Sequence, residues 1–191
     1  GNAYYSDEYY GVAVSENGID FTMVFEEDAN SLTTATNRTI NLSEYAGKNI
    51  HIAFRHFNCS GNEAISIDNA VLSTDGGSDP EDPEQPEDPE QPEGATTFSF
   101  DFNDGQMTGW NTIDADGDGE NWMVGYNYPV DDITPCLYSY SYYSTSLTPN
   151  NYIYTVDTYS ISETSVLSYD VRVGNAYYSD EYYGVAVSEN G

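Results

Sequence analysis

Hydrophobic and polar positions alternate with a period of two along much of the chain. In 97–102, Phe98, Phe100 and Phe102 share one face and Thr97, Ser99 and Asp101 the other. In 165–173, Leu167, Tyr169, Val171 and Val173 alternate with Ser168, Asp170 and Arg172. Ile19, Phe21, Met23 and Phe25 line one side of 19–25, and 50–59 and 63–72 behave similarly. Successive side chains of a strand point to opposite faces, so this period predicts strands with one face on a core and one in water. Turn formers separate the runs: Glu16-Asn17-Gly18, Ala46-Gly47-Lys48 and Ser60-Gly61-Asn62. No stripe of helical period stands out. The pattern predicts an all-β, antiparallel sandwich of jelly-roll type.

Residues 1–18, GNAYYSDEYYGVAVSENG, recur letter for letter at 174–191. The period is 173 residues, so the chain holds one period of a tandem repeat plus an overlap. Between the copies, 75–95 carries Pro80, Pro83, Pro86, Pro89 and Pro92 among acids and no aromatic or β-branched residue. Proline at every third position removes amide donors and fixes φ, and neighbouring acids repel. This segment reads as an extended spacer, at most about 65 Å long at about 3.1 Å per residue. It gives the repeat its order. Residues 1–74 are the second half of one module and 96–191 the first half of the next, so the chain is a circularly permuted window. The first and last strands of a sandwich often pair, so the halves are expected to close on each other within one chain. One copy of the duplicated segment would then be redundant and lie at an edge. Completion by a neighbouring chain is the alternative.

Charge narrows the function. There are 33 acidic residues against four basic ones, a net charge of −29. Such a surface repels nucleic acid and anionic membranes. No apolar run approaches the roughly 20 residues that span a bilayer, so neither nucleic-acid binding nor membrane insertion is expected. The acid excess suits divalent cations. Nineteen tyrosines and very few lysines fit a secreted or surface-attached β protein. Cys59 and Cys136 permit one disulfide, or else are two buried thiols.

The sharpest local signal is Asp114-Ala115-Asp116-Gly117-Asp118-Gly119-Glu120. Carboxylates at every second position, with small residues between, let a loop fold its oxygens around one hard cation, and calcium takes six to eight such ligands. An EF-hand would need Glu at the twelfth loop position, which is Gly125, so the loop is of another kind. A second acidic cluster, Asp101, Asn103 and Asp104, would meet Asp68 if the module's first and last strands pair. Tyrosine doublets, including Tyr5, Tyr9, Tyr142 and Tyr143, must face partly outward on strands, where they could stack on sugars or anchor a protein partner. Trp110 and Trp122 flank the acidic loop and read as packing residues. Catalysis has little support. His51 and His56 are the only histidines and fall on opposite faces of one strand, and neither G-x-S-x-G nor H-E-x-x-H is present.

Taken together, DFNDGQMTGWNTIDADGDGENW (101–122), LTPNNYI (147–153), EYYGVAVSENG (8–18 and 181–191), INLSEYAGKNIHIAFRHFNCSGNEAISIDNAVL (40–72), and Cys136 with the Ser/Tyr run after it resemble the cleaved-adhesin modules of bacterial haemagglutinins and gingipain adhesin regions. The resemblance covers nearly all of the module, in the family's order once the permutation is undone. It implies a jelly-roll sandwich similar to carbohydrate-binding modules, with structural calcium held by Asp101, Asp104, Asp114, Asp116, Asp118, Glu120 and Asp68. It also implies a secreted or surface protein of a bacterium that adheres to host or matrix proteins, glycoproteins or glycans, alongside neighbouring repeats in an array.

Overall fold

The computed structural model describes residues 12–15, 18–29, 32–61, 64–74, 95–126, 135–173 and 182–188. The strands are β1 (Val12–Ser15), β2 (Thr22–Asp28), β3 (Thr36–Asn41), β4 (Asn49–Phe57), β5 (Ala64–Ser73), β6 (Phe98–Phe100), β7 (Trp110–Asp114), β8 (Met123–Gly125), β9 (Cys136–Tyr140), β10 (Tyr142–Tyr143), β11 (Thr145–Ser146), β12 (Asn150–Thr155), β13 (Tyr159–Ser160), β14 (Val166–Val173) and β15 (Tyr182–Ser188). A 3-10 turn at Ser43–Tyr45 is the only helical piece among the described residues. Nearly all of the proposed spacer, 75–94, lies outside them.

Two sheets form a β-sandwich. One runs β1-β2-β15-β4-β12-β7, with β13 also on β4, and the other runs β3-β14-β5-β9-β8, with β6 also on β5. Apart from a parallel contact between β1 and β15, the strand pairings are antiparallel. Strands from the two halves of the chain interleave in both sheets. β6 lies along β5 with Phe100 opposite Ala70 and Phe98 opposite Leu72. β1 stands at the end of its sheet's order, and β15 carries the same residues next to β4.

The alternation reports the core faithfully in β14, where Leu167, Tyr169, Val171 and Val173 are buried and the residues between are half-buried. Aromatic rings from both halves fill the space between the sheets. Phe54 of β4 stacks on Trp110 at 5.9 Å and meets Tyr169 edge-on at 5.0 Å. Phe98 packs on Tyr159 at 4.9 Å, and Phe100 on Trp110 at 5.2 Å. Offset and edge-on pairs of this kind add to the stabilisation that burial alone supplies. At the edge, the Arg38 guanidinium forks onto the Glu27 carboxylate, tying β3 in one sheet to β2 in the other.

Three local departures have physical causes. Ile19 is 79% exposed, because the chain bends over 18–20 and β2 begins only at Thr22. Phe102 stays buried but lies beyond the end of β6, at φ +52°, where the chain turns into the next loop. β4 is buried on both faces. Its outer side carries Ala53 against Ala186 of β15, and Phe21, Met23, Tyr152 and Tyr154 close over that small-residue floor.

Phe54 has no exposed surface and touches rings from the other half of the chain. Phe54→Ala is expected to cost about 3–5 kcal/mol, read as a lower denaturant midpoint. Ile19→Ser should stay within about 0.5 kcal/mol of the parent.

Candidate metal centre

The loop after β7 folds around its own carboxylates. Asp114, the last residue of β7, accepts from the amide of Gly117 at 2.6 Å with one oxygen and from that of Gly119 at 3.0 Å with the other. Asp116 accepts from the Asp118 amide at 3.1 Å, and Asp118 from the Glu120 amide at 2.8 Å. Gly117 and Gly119 hold φ at +77° and +90°, a left-handed backbone that glycine adopts without penalty. The turns bring one carboxylate oxygen each from Asp114, Asp116 and Asp118 within 4.8 Å of one another.

Like charges this close repel, and the protein's own amides offset part of that repulsion. Burial would raise the Asp114 carboxyl, but the Gly117 and Gly119 amides and the Asp116 side chain outweigh it and hold the group below its ordinary value. Asp116 moves the other way. Burial raises it, and so do the Asp118 charge and the hydrogen bond with Asp114, against the Asp118 and Asn150 amides.

The loop is also keyed into the sheet. Asp116 accepts from the Asn150 amide, and the Asn150 carbonyl accepts from the Ala115 amide at 3.1 Å. Asn150 opens β12, and its side-chain oxygen accepts from Arg55 Nε at 2.9 Å and Nη2 at 2.7 Å. Arg55 lies over the Phe57 ring at 4.1 Å and the Tyr152 ring at 4.9 Å. It lines a cavity of about 510 Å³ with Asn58, Cys59, Thr148 and Asn150. Sequence reasoning missed both Asn150 and Arg55. The one available signal was that Arg55 is among only four basic residues in an acidic chain.

Of the seven acids proposed as ligands, the structure brings together three. No other group of three converging His, Cys, Asp or Glu occurs among the described residues. Asp101 and Asp104 instead close local turns, accepting from Asn103 at 3.2 Å and Gln106 at 2.9 Å. Asp68 accepts from the Asn69 amide at 2.8 Å, and Asn69 donates on to Asp170 at 2.9 Å. Glu120 enters the loop through its amide, and its carboxylate is not part of the converging group.

Cys59 and Cys136 are separate buried thiols and not a bridge. Cys59 Sγ lies 2.9 Å from His56 Nε2, while Cys136 Sγ faces the Gly125 carbonyl at 3.9 Å. His56 Nδ1 is 2.8 Å from Ser139 Oγ, and His51 Nδ1 is 2.8 Å from the Thr155 carbonyl. Trp110 and Trp122 are buried, and Trp122 Nε1 donates to the Asn151 carbonyl at 3.0 Å. Tyr142 and Tyr143 are 45% and 57% exposed, and Tyr143 stacks on Tyr140 at 5.4 Å. Tyr5 and Tyr9 lie outside the described residues.

The family model described as the Cleaved Adhesin Domain matches residues 2–72 and 96–191. The chain belongs to the cleaved adhesin domain family. Residues 73–95 fall outside that match. Hemagglutinin A of Porphyromonas gingivalis is 24% identical to this cleaved adhesin chain, over 98% of it and 13% of the relative. Gingipain R1 and Lys-gingipain of the same organism are each 35% identical, over 51% of this chain and 6% of theirs. The chain thus spans a small fraction of these relatives' length. No solved structure matches it.

The opposed shifts in the acidic loop set an order of titration. Asp114 is depressed, so its contribution to stability is present above the unfolded value of about 4 and is lost as pH falls. Asp116 is raised, so its contribution is present at lower pH and is lost as pH rises through its folded value. Carboxyl-carbon NMR on metal-free protein should therefore find Asp114 titrating below Asp116.

Proposed function

We propose that this chain is one repeat of a calcium-stabilised extracellular bacterial adhesin. It would use a jelly-roll sandwich as a rigid platform for binding host or matrix proteins and glycoproteins. The family match over both halves of the module carries the adhesive reading. A relative named hemagglutinin points to ligands on red cells or similar host surfaces.

The converging oxygens of Asp114, Asp116 and Asp118 support the calcium reading, since hard cations take carboxylate ligands in irregular loops. The cation would offset two of the three charges and stiffen the loop against β12 through the Asp116–Asn150 bond. No catalytic step belongs to this reading. The two histidines lie against Ser139, Cys59 and the Thr155 carbonyl, contacts that suit a structural role. The acid-rich spacer would give neighbouring modules simultaneous reach, so that weak single contacts combine through effective concentration.

The exposed Tyr142 and Tyr143 favour a second reading, a carbohydrate-binding module whose rings stack on sugar faces. The paired Tyr143 and Tyr140 rings form part of that surface.

Calcium added to metal-free protein should raise the melting temperature, and Asp116→Ala should remove most of the rise. A melting curve unmoved by chelator would dispose of the cation. For adhesion, a protein of two repeats should bind immobilised red-cell membranes at least about tenfold more tightly than one repeat. Equal affinity would reject the array argument. Binding on a glycan array that disappears with Tyr142→Ala and Tyr143→Ala would favour the carbohydrate reading instead.

A further inference from the structure

The two copies of the duplicated segment supply β1 and β15, and their pairing is in register by sequence. Val14 lies opposite Val187 and Ser15 opposite Ser188. Each pair is one repeat period apart, so identical residues face each other. β2 engages both copies. Tyr182 of β15 pairs with Asp28, and Val12 of β1 pairs with Phe25. Tyr182 repeats Tyr9 of the first copy. Stepping three residues up from Tyr9 to Val12 steps three residues down from Asp28 to Phe25, so these two pairs share one antiparallel register, and a bulge after Val12 then shifts Ala13 onto Met23 and Val14 onto Thr22. β2 therefore meets the second copy at Asp28 and the first at Phe25 in one frame, and holds the first one residue out of that frame beyond the bulge. On the far side, β4 holds the second copy over six consecutive pairs, from Tyr183 opposite His56 to Ser188 opposite His51. Gly184, Val185 and Ala186 are buried there.

A sheet selects a strand by its side-chain alternation and its ladder of amides and carbonyls. Both are the same for two identical sequences, so β2 and β4 can distinguish the copies only through the chain that connects them. That distinction is small, because doubling a connecting loop costs only about 0.6 kcal/mol. We propose that the place between β2 and β4 is an exchangeable strand slot. It accepts the repeated segment from either copy, and in an array it accepts that segment from a neighbouring repeat or a second chain. Exchange would join modules through the sheet, in addition to their covalent connection. The proposal rests on the duplicated sequence and the register, and not on calcium or any external ligand. Its failure and the failure of the adhesive reading are therefore separate results.

Equivalent prolines in the two copies test it. Ala13 and Ala186 are the same position of the repeat, and Ala186 lies opposite Ala53 in the sheet. Proline lacks the amide and is not tolerated in a central strand. In the 191-residue chain, Ala13→Pro should melt close to the parent. Ala186→Pro should keep a cooperative melt, with slow hydrogen exchange transferred from the 184–187 amides to the 12–14 amides. The double variant should lose its cooperative transition, and a synthetic peptide of residues 174–191 should restore it in proportion to its concentration. Three results would overturn the slot: Ala186→Pro melting as low as the double variant, the double variant melting like the parent, or a peptide without effect.

Discussion

Neither half of this chain can bury its own apolar faces. β14, from the second half, is flanked by β3 and β5 from the first, and β4 is flanked by β12 and β15. Phe54 finds its ring partners, Trp110 and Tyr169, across the same divide. Everything else in the sandwich follows from this mutual completion. Most of the contacts that build it join residues far apart in sequence, which makes them entropically costly to bring together before any burial rewards them. Covalent connection of the halves through residues 75–94 raises their effective concentration. The β5–β6 pair then joins the strands on either side of that segment.

The acidic loop depends on that closure. Its first carboxylate ends β7, and its second is held by the amide that opens β12. β12 in turn lies between β7 and β4. Asn150 therefore stands between two charge systems, receiving Arg55 on its side chain and donating its amide to Asp116. A change in the charge of the loop reaches β4 through one residue. This arrangement explains how a cation bound at the surface could stabilise the sandwich as a whole and not merely order a turn.

Periodicity made the fold legible in 165–173 and 97–102 because those strands meet one core on one face. It was less informative for β4, which is covered on both sides, since burial of an outer face depends on which neighbours arrive there. Carboxylate spacing pointed to Asp114, Asp116 and Asp118, whose oxygens a five-residue turn brings together locally. It could not show that Asp101 and Asp104 each place one oxygen on a nearby amide, which depends on the turn each adopts. Arg55 and Asn150 are 95 residues apart, and no local pattern links them. The two cysteines are as uninformative in sequence: Cys59 sits beside His56 three residues away and Cys136 faces Gly125 across the β8–β9 pair, and their spacing alone does not tell these thiols from a bridge.

Near-identical repeats carry a hazard that the composition moderates. A segment that fits one module fits every other, so an array invites strands to pair with the wrong partner. A net charge of −29 opposes the approach of a second chain. That repulsion is screened over about 8 Å at physiological ionic strength, and a bound divalent cation reduces it further. Exchange between chains must overcome the repulsion, whereas exchange between copies within one chain involves charges that are already close. If the strand slot exchanges as proposed, dilute, low-salt conditions would favour the closed single module, and added salt would shift the balance toward linked ones. The acidity that keeps the repeats apart in solution would thus also make their joining responsive to the ions at the surface where an adhesin works.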